Sequence, residues 1–166
     1  MRSNAMAAHW YAVQCKGGES FRAEDHLKAQ GFEVFHPTWT VEKRYRGQLR
    51  EIKEPLFPFY LFIQLDEHRD NWAPIRSTRG VLQLVRFGTY PLKVDADLIE
   101  ALKQRSEKAQ HHKLKTGDKV LITRGPFKDL EAIFQTRKGE DRVIILLNLL
   151  QHQQRLSISR KDLQRS

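Results

Sequence analysis

The chain has 166 residues, of which 40% are hydrophobic and 30% are charged, and its formal net charge is +9. This length allows one ordinary domain or two small ones, the composition is typical of a soluble globular protein, and no apolar run approaches the ~20 residues that span a membrane. The single cysteine, Cys15, excludes an internal disulfide and fits a reducing cytoplasm. The polar start lacks the apolar segment of a signal peptide, and residues 1–5 are interpreted as an expression-tag remnant before a natural start at Met6.

The positive charge predicts a polyanionic partner, but it is spread along the chain. Residues 9–105 carry 15 Lys and Arg against 13 Asp and Glu, a net of only +2. Any nucleic-acid surface on this larger part must therefore be a local patch.

The first predicted elements are a strand over 9–15 and a helix from Ser20, its expected N-cap, to Gln30. On this helix Arg22, His26 and Gln30 share one face by i,i+4 spacing. Side chains of such different donor geometry suit DNA recognition, but they also suit an ordinary solvated face.

A second strand is predicted over 32–37, followed by a hairpin of strands 39–45 and 48–53 across the turn at 46–47. The hairpin tip is basic, with Lys43, Arg44, Arg46 and Arg50. Such a tip can lie along phosphates, or it can be a charged edge that prevents aggregation.

The stretch 54–62 sets two prolines and one acid, Glu54, among large apolar side chains. From Phe59 onward it is typical of a buried strand. Its aromatic residues exceed what a modest core usually needs, so some of them are expected to face a partner. Leu61 and Ile63 should then point away from Tyr60 and Phe62, because side chains alternate along a strand.

Two arginines and two hydroxyls surround a predicted tight turn at Gly80, preceded by a short helix with Trp72 on it and a break near Pro74. Arginine is the side chain best suited to phosphate and guanine contacts. A strand over 81–87 and a helix over 95–109 follow, the latter capped by Asp95 or Asp97.

Residues 106–116 are nearly all polar and are predicted to be a linker that includes His111 and His112. Residues 117–166 form a small separate unit with predicted turns at 124–127 and 138–141 and a strand at 156–159. The apolar run 143–150 fits a helix and a buried strand equally well, and periodicity alone does not decide between them.

No catalytic constellation is recognisable in the sequence. The phosphate-binding loop G-x-x-x-x-G-K, the zinc motif H-E-x-x-H and the redox motif C-x-x-C are all missing. Pairs of neighbouring acidic residues occur, but each is explained as a helix cap or as part of a turn. Cys15 has no obvious base beside it in the sequence, although His26 can approach it in space. The chain is therefore expected to be no enzyme and to need no cofactor or metal.

Four segments carry a family resemblance: Trp10-Tyr11, the stretch 54–62, the STRGV sequence at 77–81, and GDKV at 117–120 with Gly-Pro-Phe at 125–127. They resemble the NusG family of transcription elongation factors. The resemblance implies an α+β protein, with an N-terminal α/β sandwich over 6–105, in which helices flank an antiparallel sheet. It also implies a linker over 106–116 and a C-terminal KOW domain over 117–166.

Within the family the chain is similar to the specialised RfaH branch, through Cys15-Lys16, the face of Arg22, His26 and Gln30, and the segments 85–88, 132–134 and 146–149. That branch implies a C-terminal domain that is either an autoinhibitory α-helical hairpin or a released five-stranded β-barrel. The sequence leaves the choice open.

The resemblance implies three sets of site residues. Polymerase binding is expected at Tyr60, Phe62, Phe87, Ile99 and Leu102. Autoinhibitory packing is expected from Phe134, Leu146 and Leu150, with Glu54 paired to Arg142. DNA binding is expected at Lys16, Arg22, His26, Gln30, Arg76, Thr78 and Arg79. The chain departs from the RfaH pattern at Gly17, Arg76 and residues 71–73, which puts the preferred DNA sequence and a contact to the polymerase gate loop in doubt.

The function implied is that of a monomeric, operon-specific antiterminator. It would bind the β′ clamp helices of RNA polymerase and the single-stranded non-template DNA at a pause element, and would suppress pausing and termination. Its C-terminal domain would bind a small-subunit ribosomal protein and couple transcription to translation. The alternatives are a general NusG-type factor with a permanently β-barrel KOW domain and, from another class, a ribosome-associated KOW protein.

Overall fold

The computed structural model describes residues 8–111 and 129–165, with side chains over 8–106 and 129–155. The predicted tag at 1–5, the linker beyond His111 and the predicted turn at 124–127 lie outside the described residues.

Within these ranges the chain forms strands and helices in the following order. They are β1 (Ala8–Cys15), α1 (Ser20–Ala29), β2 (Glu33–Phe35), β3 (Thr38–Tyr45), β4 (Gln48–Pro55), β5 (Tyr60–Asp66), α2 (Ala73–Arg76), β6 (Val81–Leu84), β7 (Arg86–Phe87), β8 (Tyr90–Pro91), β9 (Lys93–Val94), α3 (Ala96–His111), α4 (Leu130–Gln135) and α5 (Gly139–Arg165).

The central sheet is antiparallel, with strand order β2-β5-β1-β6 and β9 also paired to β1. Strand β1 pairs with β5 along almost its whole length, from Ala8 opposite Asp66 to Gln14 opposite Tyr60. A mixed α/β fold with an antiparallel sheet and helices was predicted for this part of the chain, and it is confirmed.

Side chains from the two faces of the sheet enter two separate cores, because successive residues of a strand point to opposite sides. On one face Leu61 and Ile63 pack against α1 through Ala23 and Leu27. On the other face Phe62 enters the core that contains the apolar side of α3. Tyr60 packs against this second core, so the predicted alternation along β5 is confirmed.

The β3–β4 hairpin forms its own two-stranded sheet. Its turn is formed by Arg46 at φ 52° and Gly47 at φ 79°, and two consecutive positive φ values define a type I′ turn. The hairpin and its turn were predicted, and they are confirmed.

Two local predictions in the N-terminal part were wrong. Ser20 is the first residue of α1 rather than its cap, and Glu19 at the N-cap makes no side-chain cap bond. Pro74 lies in the first turn of α2, where a missing N–H has no cost, so it starts the helix instead of breaking it. Helix α3, predicted over 95–109, continues through His111 and so extends into the stretch 106–116 that was predicted to be a linker.

The described part of the C-terminal region is helical. The predicted turn at 138–141 largely becomes the first turn of α5, and the predicted strand at 156–159 lies within the same helix. Over 143–150, Leu146, Leu149 and Leu150 are the buried positions, which is the i, i+3, i+4 pattern of a helix face. The helix places these leucines against the N-terminal core, which the run's own periodicity does not specify.

Candidate functional site

A close backbone contact fixes the turn after α2 against the start of α1. Gly80 has φ +87°, and a Cβ there would lie 2.8 Å from the Glu19 carbonyl oxygen and 2.9 Å from the Ala23 nitrogen. The Lys16 amide donates to the Gly80 carbonyl at 2.8 Å. Only glycine fits this position, and the contact brings the polar side of α1 and the arginines of the turn onto one surface.

A short hydrogen-bond chain joins the two elements of this surface. Gln30 Nε2 donates to Thr78 Oγ1 at 2.8 Å, and the Thr78 hydroxyl donates to the Pro74 carbonyl at 2.8 Å. Thr78 is buried, with 7% of its surface exposed. Its hydroxyl therefore positions Gln30 and is turned away from any DNA on the surface, unlike the direct contact expected from the sequence.

The other predicted DNA-binding side chains are exposed and lie on α1, α2 and the turns beside them: Lys16, Arg22, His26, Arg76 and Arg79. We call these five residues together with Gln30 the basic face. Arg22 pairs with Glu19 at 3.3 Å, whereas Lys16, Arg76 and Arg79 form no ion pair within the described part of the chain. Their charges are available to phosphates.

Four of the five predicted polymerase-binding residues lie in or against one apolar cluster: Phe62, Ile99 and Leu102 are buried in it and Tyr60 packs against it. We call these four residues the apolar surface. Burial raises the pKa of Tyr60, which is partly buried against this cluster. Phe87, the fifth, lies on β7 outside this cluster and is 47% exposed.

The C-terminal helices cover the apolar surface. Leu130 and Ile133 of α4 and Leu146 and Leu150 of α5 are buried in the same cluster, and Phe134 packs against it. The three residues predicted to pack there are thus all present. Each fully buried leucine contributes about 1.5–3 kcal/mol, so burial of apolar area dominates this contact.

Arg142 is held differently from the prediction. Only 2% of it is exposed, and its Nε donates to the Leu56 carbonyl at 2.6 Å. Its Nη1 donates to the carbonyls of Thr136 and Arg137 at 2.9 and 2.7 Å, and its guanidinium lies 4.1 Å from the centroid of the Trp39 ring.

The predicted Glu54–Arg142 ion pair is replaced by these carbonyl contacts, and Glu54 pairs with Lys43 instead. Burial lowers the pKa of Arg142, while the negative charge of Glu54 acts in the opposite direction. Glu54 therefore influences Arg142 through its field rather than through a direct bond.

A buried ion pair joins the N-terminal part to the C-terminal helices, and the sequence did not reveal it. Arg105 of α3 binds Glu131 of α4 through two nitrogens, with N–O distances of 2.6 and 2.9 Å. The Arg105 side chain is 3% exposed and its guanidinium lies 4.6 Å from the centroid of the Phe134 ring. No sequence motif marks a pair of residues this far apart in the chain. A charged residue at the polar end of a helix, such as Arg105, is usually solvated, so nothing predicted that it would be buried.

Gly139, at the start of α5, packs directly on Pro58. A Cβ at this position would overlap the Pro58 ring, with Cδ at 2.9 Å, and would lie 3.3 Å from Arg142 Nη2. The absence of a side chain at Gly139 thus permits close approach of α5 to the 54–62 stretch.

We predict that Gly139→Ala weakens the packing of α5 on the N-terminal part, because the rigid proline ring cannot move aside. In a peptide of residues 129–166, where Pro58 is missing, the same change should not lower helicity, since alanine is at least as good a helix former as glycine at the first position of α5. Proteolysis of the full chain and circular dichroism of the peptide measure the two effects. Equal protection of α5 in both full-length proteins would contradict the prediction.

Cys15 does not supply a nucleophile. Burial raises the pKa of its thiol to about 12, so it stays protonated, and His26 is on the exposed side of α1.

Among the described residues, no helix has both the length and the apolar character needed to cross a membrane.

Residues 8–103 match the family model described as transcription termination factor NusG. The transcription termination/antitermination protein NusG of Thermus thermophilus is 33% identical over 168 residues, which cover 86% of this chain and 91% of that protein. The protein of the same name from Deinococcus radiodurans is 29% identical over 174 residues, covering 87% and 92%. A solved structure of Thermotoga maritima NusG aligns with a TM-score of 0.46 at 22% identity, covering 75% of this chain and 77% of that one.

Proposed function

The chain belongs to the NusG family, and from this premise we propose that it is a transcription termination/antitermination factor that binds RNA polymerase through its apolar surface. NusG proteins are transcription factors and not enzymes, in agreement with the expectation of a non-catalytic protein. The observation that carries the proposal is an apolar cluster with two aromatic and two aliphatic side chains of the N-terminal part, against which the chain's own C-terminal helices pack.

Polymerase and the C-terminal helices would compete for the same side chains. The helices must leave before polymerase binds, so the apparent affinity falls in proportion to the fraction of open molecules. A cover of this kind makes recruitment conditional on a second signal.

The basic face would supply that signal by binding the single-stranded non-template DNA of a paused complex. Lys16, Arg76 and Arg79 would contact phosphates or base edges, and Gln30, held by Thr78, would present its carbonyl oxygen as an acceptor. Contacts of this type are salt-dependent and add to the affinity of the apolar surface.

The names of the relatives are those of the general factor, and they agree better with a general NusG-type role than with the operon-specific role predicted from the sequence. The helical cover is the one observation that favours operon-specific recruitment, and we retain that role as the second candidate. In it the released C-terminal domain would refold to a β-barrel and bind a small-subunit ribosomal protein, a switch that requires the two folds to differ by only a few kcal/mol.

Binding of purified polymerase tests the first candidate. A chain of residues 6–111, which lacks the C-terminal helices, should bind polymerase more tightly than the full chain does. Equal affinity of the two would contradict the competition, and failure of both to bind would remove the proposed function.

Circular dichroism separates the two candidates. The isolated segment 112–166 should show more β structure than the same segment within the full chain if the domain switches its fold. Equal β content in both settings would exclude the change of fold, and the general role would remain as the only candidate.

The DNA contact has its own prediction. Arg79→Ala should weaken recruitment to a paused complex with an exposed non-template strand by roughly 5- to 150-fold, as expected for loss of about 1–3 kcal/mol. Arg69→Ala is the matched control, because Arg69 is also exposed but follows β5 at the end of the sheet opposite to Lys16. Unchanged recruitment by the Arg79 variant would mean that the basic face is merely solvated.

A further inference from the structure

Phe59 occupies a turn position that rarely accepts a bulky side chain. Residues 57–60 form a tight turn, in which the Tyr60 amide donates to the Phe57 carbonyl at 3.2 Å. Pro58 and Phe59 are its central residues, and Phe59 has φ 77°. A proline followed by a residue with positive φ is typical of a type II turn, whose second central position normally belongs to Gly or Asn. A phenylalanine at this φ is a conformational outlier.

The ring of Phe59 does not serve the interior of the protein. It is 41% exposed and belongs to neither of the two cores. Among the residues that the structure describes, no other aromatic ring lies against it. Since it costs conformational energy without adding to a core, this side chain points to a role outside the fold.

Backbone contacts place Phe59 at the edge of the basic face. The Cys15 amide donates to the Phe59 carbonyl at 2.6 Å, and the next amide, that of Lys16, donates to the Gly80 carbonyl at 2.8 Å. The Phe59 ring also reaches the following residue, because its Cε1 would lie 3.4 Å from a Cβ at Gly17. The ring therefore lies beside the segment that carries Lys16.

Unpaired cations flank this ring. Arg79 directly precedes Gly80, and neither Arg79 nor Lys16 forms an ion pair within the described ranges. An exposed aromatic ring beside a positively charged surface is a common way to bind single-stranded nucleic acid, since the ring stacks on a base while the cations hold phosphates. Unpaired bases can be splayed out onto such a ring, whereas the bases of a duplex stay stacked on each other.

We propose that Phe59 is a stacking platform for one unpaired base of the single-stranded DNA that the basic face binds. This inference rests on the proposed function for the DNA contact and adds a residue that the family resemblance did not assign. Because every base has an aromatic face, the ring contributes affinity without selecting a sequence. The ring is exposed while α4 and α5 are in place, so this contact is available before the helices leave.

The test measures binding of the full chain to two single-stranded ligands in the absence of polymerase. One is an oligothymidine of roughly 12 nucleotides, and the other is a sugar-phosphate chain of the same length without bases. The variant is Phe59→Asn, which should be at least as stable as the unmodified chain, because asparagine accepts positive φ at this turn position. Phe59→Tyr keeps an aromatic ring. The matched control is Phe21→Asn, since Phe21 is 42% exposed but its ring lies against His36.

Phe59→Asn should weaken binding of the oligothymidine by about 5- to 150-fold, as expected for the loss of one base–aromatic stack, and should leave binding of the base-free chain unchanged. Phe59→Tyr and Phe21→Asn should bind both ligands as the unmodified chain does. Unchanged oligothymidine binding by Phe59→Asn, or an equal loss for both ligands, would overturn the proposal.

Arg79→Ala separates the stacking role from the DNA contact on which it rests. This variant should bind both ligands more weakly, because it removes a phosphate contact. If it does so while Phe59→Asn has no effect, the DNA contact stands and the stacking role is wrong. If the unmodified chain binds neither ligand, the DNA contact and the stacking role are both wrong, whereas polymerase binding through the apolar surface is unaffected. Weaker binding of Phe59→Asn to DNA-free polymerase, with oligothymidine binding unchanged, would assign the ring to polymerase instead.

Discussion

Arg105→Glu is expected to detach α4 and α5 from the N-terminal part of the chain. The substitution removes a buried guanidinium from Glu131 and places a second carboxylate beside it. Breaking a buried ion pair in this way costs about 3–5 kcal/mol. This loss is a substantial part of the free energy that holds the helices, to which each of their buried leucines contributes about 1.5–3 kcal/mol.

The charge-swapped protein, Arg105→Glu/Glu131→Arg, is the control. It restores opposite charges in the same place and should recover much of the packing. Proteolytic protection of α5 and polymerase binding provide the readouts, with the single variant less protected and binding polymerase more tightly. If α5 is equally protected from proteolysis in the single variant and in the swapped protein, the ion pair does not hold α4 and α5 on the apolar surface.

Arg142→Met should also release the cover, by removing hydrogen bonds rather than an ion pair. Methionine keeps much of the apolar stem, but the carbonyls of Leu56, Thr136 and Arg137 lose their shared donor. A hydrogen bond from a charged group contributes about 1.5–3 kcal/mol, and since such terms do not add fully we expect a total loss of about 3 kcal/mol. Amide hydrogen exchange of the first turns of α5 measures it.

The neighbouring exposed residue supplies the control for this prediction. Arg137→Met changes the same side-chain type but leaves the carbonyl of residue 137 in place, so its effect should stay within about 0.5 kcal/mol. Glu54→Gln should likewise have a small effect, because Glu54 is paired with Lys43 and makes no direct bond to Arg142. A larger effect of Glu54→Gln than of Arg142→Met would contradict this description and support the Glu54–Arg142 ion pair predicted from the sequence.

The N-terminal fold was largely predictable because its signals are local. Strand alternation separates Leu61 and Ile63 from Tyr60 and Phe62, and the paired strands around Arg46-Gly47 are marked by a tight turn between them. These patterns act over a few residues and do not depend on distant parts of the chain.

The contacts between distant segments were not predictable in the same way. The family resemblance placed Thr78 among the DNA-binding residues, but the structure turns its hydroxyl inward to hold Gln30. The pairing of Arg105 with Glu131 has no signal along the chain at all, because it depends on where α4 packs.

By itself, the sequence determined the strands and helices of the N-terminal part, the basic tip of the hairpin, and the resemblance to a family that the comparisons confirmed. It left residues 143–150 with two equally good local structures. Only the tertiary structure decided between them, because Leu146, Leu149 and Leu150 reach the apolar surface together when the segment is a helix. The physical reason is that local periodicity specifies which side chains share a face, whereas the energy that selects a conformation comes from what that face buries.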